Sequence, residues 1–485
     1  MSDERKNYEN SIREDELRAV AEKLGDEAAE AMREYLTLFD ERCYIWMANL
    51  YDPETGALYY SNSARDNVSG IFDGKECMLL PDLESTPRGY GWLSSVGMLR
   101  DYGGSLGAAL PEWLKEKLIK WTQGLQSPED GYFYHPQWGK NISVSRRGRD
   151  LDTATRLLTQ LGGDILYDTA NGHRGTLGAP AVMQQAEGDS TDILRPDHLR
   201  TPAALREYLA TFDWENRSYQ SSHTLESQWA QIKAAGQEII DTYKQYLDEQ
   251  QEKMQEKLRN EAEAALLAAK PDATPDEIAA ARRGAENGLL EHDVKYAATN
   301  GLMKTCSTYS RIGLRLNYIE QAFESALKMV VLEGPDADGK LDDAIVNVFN
   351  PWVAINHLIN NAVSFGEPET AERLRARLRE RAPELIRITK RKVAKFHKPD
   401  GSYGYCQVGV PALSQMAPVA IPGTDEGDVN GGTIATSGIF GHMCEALGIN
   451  RPSFYFGSDF EKFIAIIEKK NEEYLKSKAR YGDRL

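Results

Sequence analysis

With 485 residues, of which 41% are hydrophobic, the chain can bury a large core. Its net charge of −17 disfavours phosphate backbones and anionic membranes, so neither nucleic acid nor a membrane is an expected partner. Five scattered cysteines (Cys43, Cys77, Cys306, Cys406, Cys444) form no CxxC pair, the N-terminal MSDERKNYENSIREDEL has no apolar core, and no run reaches the roughly 18 apolar residues of a membrane span. The expectation is a cytoplasmic protein with reduced thiols.

Residues 13–50 read as one or two helices, with apolar Leu17, Val20, Ala21 and Leu24 and then Met32, Tyr35, Leu36 and Leu38. The aromatic residues Tyr44 and Trp46 beside Cys43 mark the last part as buried. A pattern then appears three times: YDPETGALYY at 51–60, SPEDGYFY at 127–134 and KPDGSYGY at 398–405. Proline presets one torsion and glycine supplies a positive φ, so each predicts a tight turn entering a short extended segment.

A second element follows each turn: PDLESTPRGYGWLSSVGML at 81–99, RDLDTATRLLTQLGG at 149–163 and GDVNGGTIATSGIFGHMCEALG at 427–448. Asp followed by small hydroxyl or glycine residues predicts an N-cap and a closely packing helix. A weaker fourth copy is DADGKLDDAIVNVFNPWVAINHLI at 336–359, with Asn347 and Asn350 near the helix start. Between these stretches, 162–205 reads as a long loop, expected to be a lid, a binding loop or disordered. Residues 225–305 are rich in Glu/Lys pairs at helical spacing with a thin apolar stripe. They are expected to form a helical hairpin insertion that could join copies of the chain as a homo-oligomer, or else two ordinary outer helices.

A recurring turn, inner helix and outer helix is a repeat signature. In these motifs the sequence resembles the α/α-toroid superfamily, which includes six-hairpin glycosidases, several polysaccharide lyases and the squalene-cyclase group. The resemblance covers roughly 45–165 and 310–450, and LQSPEDGYFY (125–134) is similar to a repeat of the cyclase branch. It implies an all-α toroid of inner and outer helices. The first part would run over 1–224, the helical insertion over 225–305 and the second part over 306–485.

If inner-helix starts share one rim, Asp82, Glu84, Asp150, Asp152, Glu426 and Asp428 converge there, and paired carboxylates suit acid/base hydrolysis of a glycosidic bond. The same residues can also be simple helix caps. Arg65, Arg88, His135, Trp138 and Arg147, with Arg146 and Arg149, suit an anionic sugar, because guanidinium groups clamp carboxylates. Tyr59, Tyr60, Tyr134 and Trp138 could stack on sugar faces. Asn356 and His357, with Tyr403 and Tyr405, are similar to the Asn-His-Tyr set of toroidal lyases, although a histidine in an apolar helix is commonly a core residue. DLDTAT at 150–155 matches a class II terpene-cyclase motif with Asp152 as proton donor, but its surroundings are hydrophilic. No nucleotide-binding glycine motif, HExxH or GxSxG occurs, and His173 and His442 have no ligand spacing, so neither a cofactor nor a metal is expected. Hydrolysis of an oligosaccharide containing an acidic sugar is the leading expectation. Elimination, terpene cyclisation and a non-enzymatic binding or assembly role are the alternatives.

Overall fold

The computed structural model describes residues 3–184 and 195–481. The chain is mostly helical. It begins with α1 (Asp3–Leu24), α2 (Asp26–Leu36) and α3 (Glu41–Asn49), the last capped by the Asp40 carboxylate, which accepts the Arg42 N–H. Tyr44 and Cys43 are buried there, as their aromatic and small-residue setting predicts.

The turn motif is a recurring piece of structure. In its three copies, Gly56, Gly131 and Gly401 have φ of 80°, 73° and 89°. Each turn is closed by a short bridge, Tyr51 to Leu58, Gln126 to Phe133 and His397 to Tyr403. The weaker copy has the same chemistry, with Gly339 at φ 72° and its N–H donating to the Asp336 carbonyl.

The inner helices are α4 (Ser85–Ser95), α6 (Val144–Leu161), α7 (Ser218–Ser227), α10 (Tyr296–Ile312), α12 (Val346–Ser364) and α15 (Ile439–Leu447). A helical turn at Val429–Thr433 and a π-helical turn at Ile434–Gly438 lead into α15. Each of these helices packs on the next, and Val429–Thr433 packs back on α4, so the contacts close into a circle. The Trp92 Nε1–H donates to Thr436 Oγ1 across that closure. Outside lie α5 (Glu112–Gly124) on α6, α8 (Gln237–Ala269) with α9 (Pro275–Ala285), and α11 (Ile319–Val331) on α12. Further round are α13 (Pro368–Glu380) against α12 and α15, α14 (Ala382–Ala394) on α2, and α16 (Gly457–Tyr481) on α3.

Small residues bring inner helices together. A Cβ on Gly301 of α10 would lie 2.0 Å from Ser218 Oγ and 2.9 Å from the Tyr219 backbone N. Gly301→Ala should therefore push α7 from α10 and lower stability by about 1–3 kcal/mol, the usual cost of overpacking. Chemical denaturation reads this directly, and an unchanged midpoint would mean the helices can part freely.

One sequence expectation changes. Asp150 and Asp152 do not start a helix, because Ser143 caps α6 through the Arg146 N–H and both acids lie within it. The 225–305 stretch begins within α7 and ends within α10, and between them α8 and α9 pack against each other as a helical pair. Its long helix α8 buries Ile239, Tyr243, Leu247 and Met254 as an outer helix, whereas α9 buries no side chain and is tied to α8 by ion pairs such as Arg282 with Glu263. In the 162–205 stretch, Gln126 Oε1 accepts the N–H groups of Leu166 and Tyr167, fixing the loop to the second turn motif. Residues 185–194 of that expected lid lie outside the described residues.

Candidate functional site

The inner helices enclose a cavity of about 210 Å³. Five of them contribute, with Arg88 from α4, Arg149 from α6, Tyr219 from α7, Met303 and Lys304 from α10, and Val346, Phe349 and Asn350 from α12, while the segment before α15 adds Asn430 and Ile434. Tyr60 and Tyr405, each ending the extended part of a turn motif, face the same space. So do Pro411, Leu413, Ser414 and Gln415, from the hairpin β1 (Leu413–Ser414) and β2 (Ala417–Pro418) and its approach. The two residues at its tip, Gln415 and Met416, both have positive φ, 54° and 75°, a geometry that normally takes Asn-Gly. Their surroundings hold them there: Ser143 Oγ donates to the Gln415 carbonyl at 3.1 Å, and Gln415 Oε1 lies 2.7 Å from His223 Nε2.

Beneath the wall lies an ion cluster centred on Arg146, whose side chain is 0% exposed. Its Nη2 donates to Asp82, its Nε to Asp150 at 2.8 Å and its Nη1 to Glu84 at 3.3 Å. The guanidinium also stacks 5.0 Å above the Trp138 ring. Glu84 additionally accepts from Arg88 and Arg149, both at 2.9 Å, and from the Ser414 hydroxyl at 3.2 Å. Burial would raise the Glu84 pKa, but the charges of Arg149, Arg88 and Arg146 outweigh it and hold Glu84 well below the usual carboxylate range. Asp150 goes the other way. Burial lifts it, Arg146 pulls it back only partly, and the charges of Asp82 and Glu84 leave it at about 7.

That shift has a sign that can be measured. An unfolded aspartate releases its proton near pH 3.9, whereas folded Asp150 keeps it to about pH 7, so the folded state holds the extra proton between those values. Stability therefore falls as pH rises through this window. Asp150→Asn should flatten that fall when denaturation midpoints at pH 5 and pH 8 are compared, and an undiminished slope would show that Asp150 is not its source.

Asp428 is 0% exposed and serves as a cap. Its Oδ1 accepts the Gly431 N–H at 2.8 Å and its Oδ2 the Tyr405 N–H at 2.6 Å. Burial pushes its pKa up to about 6 against those two hydrogen bonds. Asp82 also caps, accepting the Ser85 N–H at 2.7 Å. Glu426 accepts the Ser63 N–H and the Thr424 hydroxyl. Thus Asp82, Glu84 and Asp150 do converge, but on Arg146. Asp152, Glu426 and Asp428 stand apart from them, and none of the six is among the side chains lining the cavity.

Of the expected binding residues, Arg88 and Tyr405 line the cavity, as do Arg149 and Tyr60. The others are placed elsewhere. Arg65 pairs with its neighbour Asp66 at 2.7 Å and reaches the Asn49 carbonyl. His135, 1% exposed, bonds the Pro81 carbonyl and stacks on Trp138, and burial lowers its pKa to about 4. Trp138 supports Arg146 where a sugar-stacking ring was expected, and Arg147 lies 4.9 Å over the Tyr132 ring. Tyr134 donates to Asp130, and Tyr59 packs in a small apolar cluster with Phe72 and Leu79. The Tyr403 hydroxyl donates to the Leu38 carbonyl, inside the core. Asn356 meets His442 at 3.1 Å and His357 meets Ser310 at 3.0 Å, so this pair does not join Tyr405.

Sequence reasoning missed Tyr219, Lys304, Glu226, Gln415 and Asn430. Lys304 is buried and pairs with Glu226 at 3.0 Å. Burial opposes the charge of Glu226, but Lys304, Arg311 and Arg149 hold its pKa down at about 2. A single lysine among small and apolar residues in NGLMKTCS was the readable signal, as was the seven-residue spacing of Tyr219 and Glu226 on one helical face.

Among the described residues no cluster of three or more His, Cys, Asp or Glu side chains could hold a metal, and no helix is long and apolar enough to cross a membrane. No family model matches this chain, and no curated protein or solved structure matches it.

Proposed function

We propose that this protein is an α/α-toroid enzyme that cleaves the glycosidic bond of an acidic sugar by β-elimination. The circle of inner helices and the recurring turn motif support the toroid reading. One observation carries the chemistry: Arg88, Arg149 and Lys304 share the cavity with Tyr60, Tyr219 and Tyr405, while the nearby carboxylates are committed to arginines or helix caps.

Hydrolysis by two carboxyl groups needs one of them to face the bond with a proton to give. Elimination needs cations to neutralise the sugar carboxylate, which acidifies the adjacent C–H, and two proton carriers. Burial raises the pKa of Tyr219 and Tyr405 alike, and Arg149 favours ionisation of both. In this reading Tyr219 serves as base and Tyr405 as acid. The tyrosinate of Tyr219 takes the proton α to the carboxylate, and the C–H electron pair becomes the ring double bond. The β C–O bond breaks, and its oxygen takes the Tyr405 proton. Proton exchange with water then restores both groups. A polyene substrate, as a terpene cyclase would use, suits this charged wall poorly.

Uronate-containing oligosaccharides are the test substrates. The expected result is an unsaturated, ultraviolet-absorbing product, formed faster as pH rises because a raised tyrosine pKa governs the base. Tyr219→Phe should abolish the reaction without loss of binding. New reducing ends without the absorbing product, with an optimum in the acid range, would establish hydrolysis instead. Binding without turnover would identify a binding protein.

A further inference from the structure

We infer that Asn350 and Asn430 read the occupant of this cavity through its hydroxyl hydrogens, so that the acid it takes is a polyhydroxy acid. The inference rests on the reading that the cavity takes an acid and adds what that acid must carry. Two amides in the wall decide it. Asn350 is 2% exposed, and its Nδ2 donates to Asn300 Oδ1 at 2.9 Å. The Asn300 Nδ2 in turn donates to Asn347 Oδ1 at 3.1 Å. This relay spends the donor of Asn350 and leaves its Oδ1 without a hydrogen-bond partner in the protein. Asn430, 8% exposed and on the wall segment before α15, likewise has an unpartnered Oδ1. Both side chains line the cavity.

Buried amide oxygens accept and never donate, so a ligand that satisfies them must bring hydrogens. Ammonium hydrogens are disfavoured beside Arg88, Arg149 and Lys304, which leaves neutral donors, and on an acidic sugar these are its hydroxyls. Arg88 points the same way, since its Nη2 is bound to Glu84 while its buried Nε has no partner and can serve an oxygen of the ligand. The required pattern is an anion with at least two hydroxyl groups. Sulfate and simple dicarboxylates lack the hydroxyls, and neutral sugars lack the charge.

Calorimetric titration of the full chain with glucuronate, galacturonate, succinate, sulfate and glucose tests this. At least one uronate should bind on the order of 10- to 100-fold more tightly than succinate or glucose. Asn350→Leu and Asn430→Leu should each remove most of that advantage and leave succinate binding unchanged. The comparison of ligands on the unaltered protein stands even if a variant fails to fold. Equal binding of uronate and succinate would overturn the hydroxyl requirement and leave the acid reading intact. Glucose binding as well as uronate would overturn the acid reading, and no binding by any of the five would overturn both.

Discussion

Replacing Arg146 with methionine should lower the free energy of unfolding by about 3–5 kcal/mol, the cost of leaving buried charge without its partner. Arg146 is fully buried, and it is the one cation paired with Asp82 and Asp150 among the described ion pairs, whereas Glu84 would keep Arg88 and Arg149. Methionine keeps an unbranched apolar side chain in the site, so the loss is that of the guanidinium, its ion pairs and its contact with the Trp138 ring. The orphaned carboxylates would then take up protons to stay buried, and the variant should lose less stability at pH 5 than at pH 8. Urea denaturation at both values measures this. Adding Asp150→Leu to the variant should return part of the loss, because an apolar pair can replace a buried ion pair. A loss below about 1 kcal/mol would mean that water reaches the cluster and the carboxylates do not depend on Arg146.

The second large effect is expected at Asp428. Asp428→Ala removes the cap of the Val429–Thr433 turn, worth about 1–2 kcal/mol, and strands the Tyr405 N–H, worth a further 1–3 or so. Because Tyr405 lines the cavity, the same change should also weaken ligand binding. Asp428→Asn discriminates the two roles: one oxygen remains to cap, but the amide nitrogen that replaces the other cannot accept from an N–H. Denaturation midpoints and uronate titration of both variants measure the two losses separately. Full stability in the alanine variant would show that the turn caps itself from elsewhere.

What the sequence made legible was the local chemistry. The Pro-acid-Gly-aromatic motif fixes its own torsions, so the three turns could be read from a few residues each, and Asp82 and Asp428 cap as Asp at a helix start should. Asp150 shows the limit. Its surroundings match those of the other two motif copies, yet Ser143 begins the helix seven residues earlier, and Arg146 one turn back takes the carboxylate. The candidate site was half legible for the same reason. Arg88, Arg149, Tyr60 and Tyr405 sit in or beside the repeats, whereas Tyr219, Lys304 and Gln415 reach the cavity only because distant segments close on it. The arginine-rich SRRGR run raised the expectation of an anion site but could not say that Arg146 would turn inward to internal acids while Arg149 lined the cavity.

The bridge between Ser61 and Asp428 joins the first turn motif to the last inner segment, and across it the Val429 N–H donates to the Tyr60 carbonyl. A circle closed by such a seam must wait until Asp428 has been made. At about 5–20 residues per second, tens of seconds separate emergence of α4 from emergence of its partner at Val429–Thr433. During that interval Trp92 lacks its late partners Thr436 and Tyr455, and a nascent chain with uncovered apolar surface is a natural client for a chaperone.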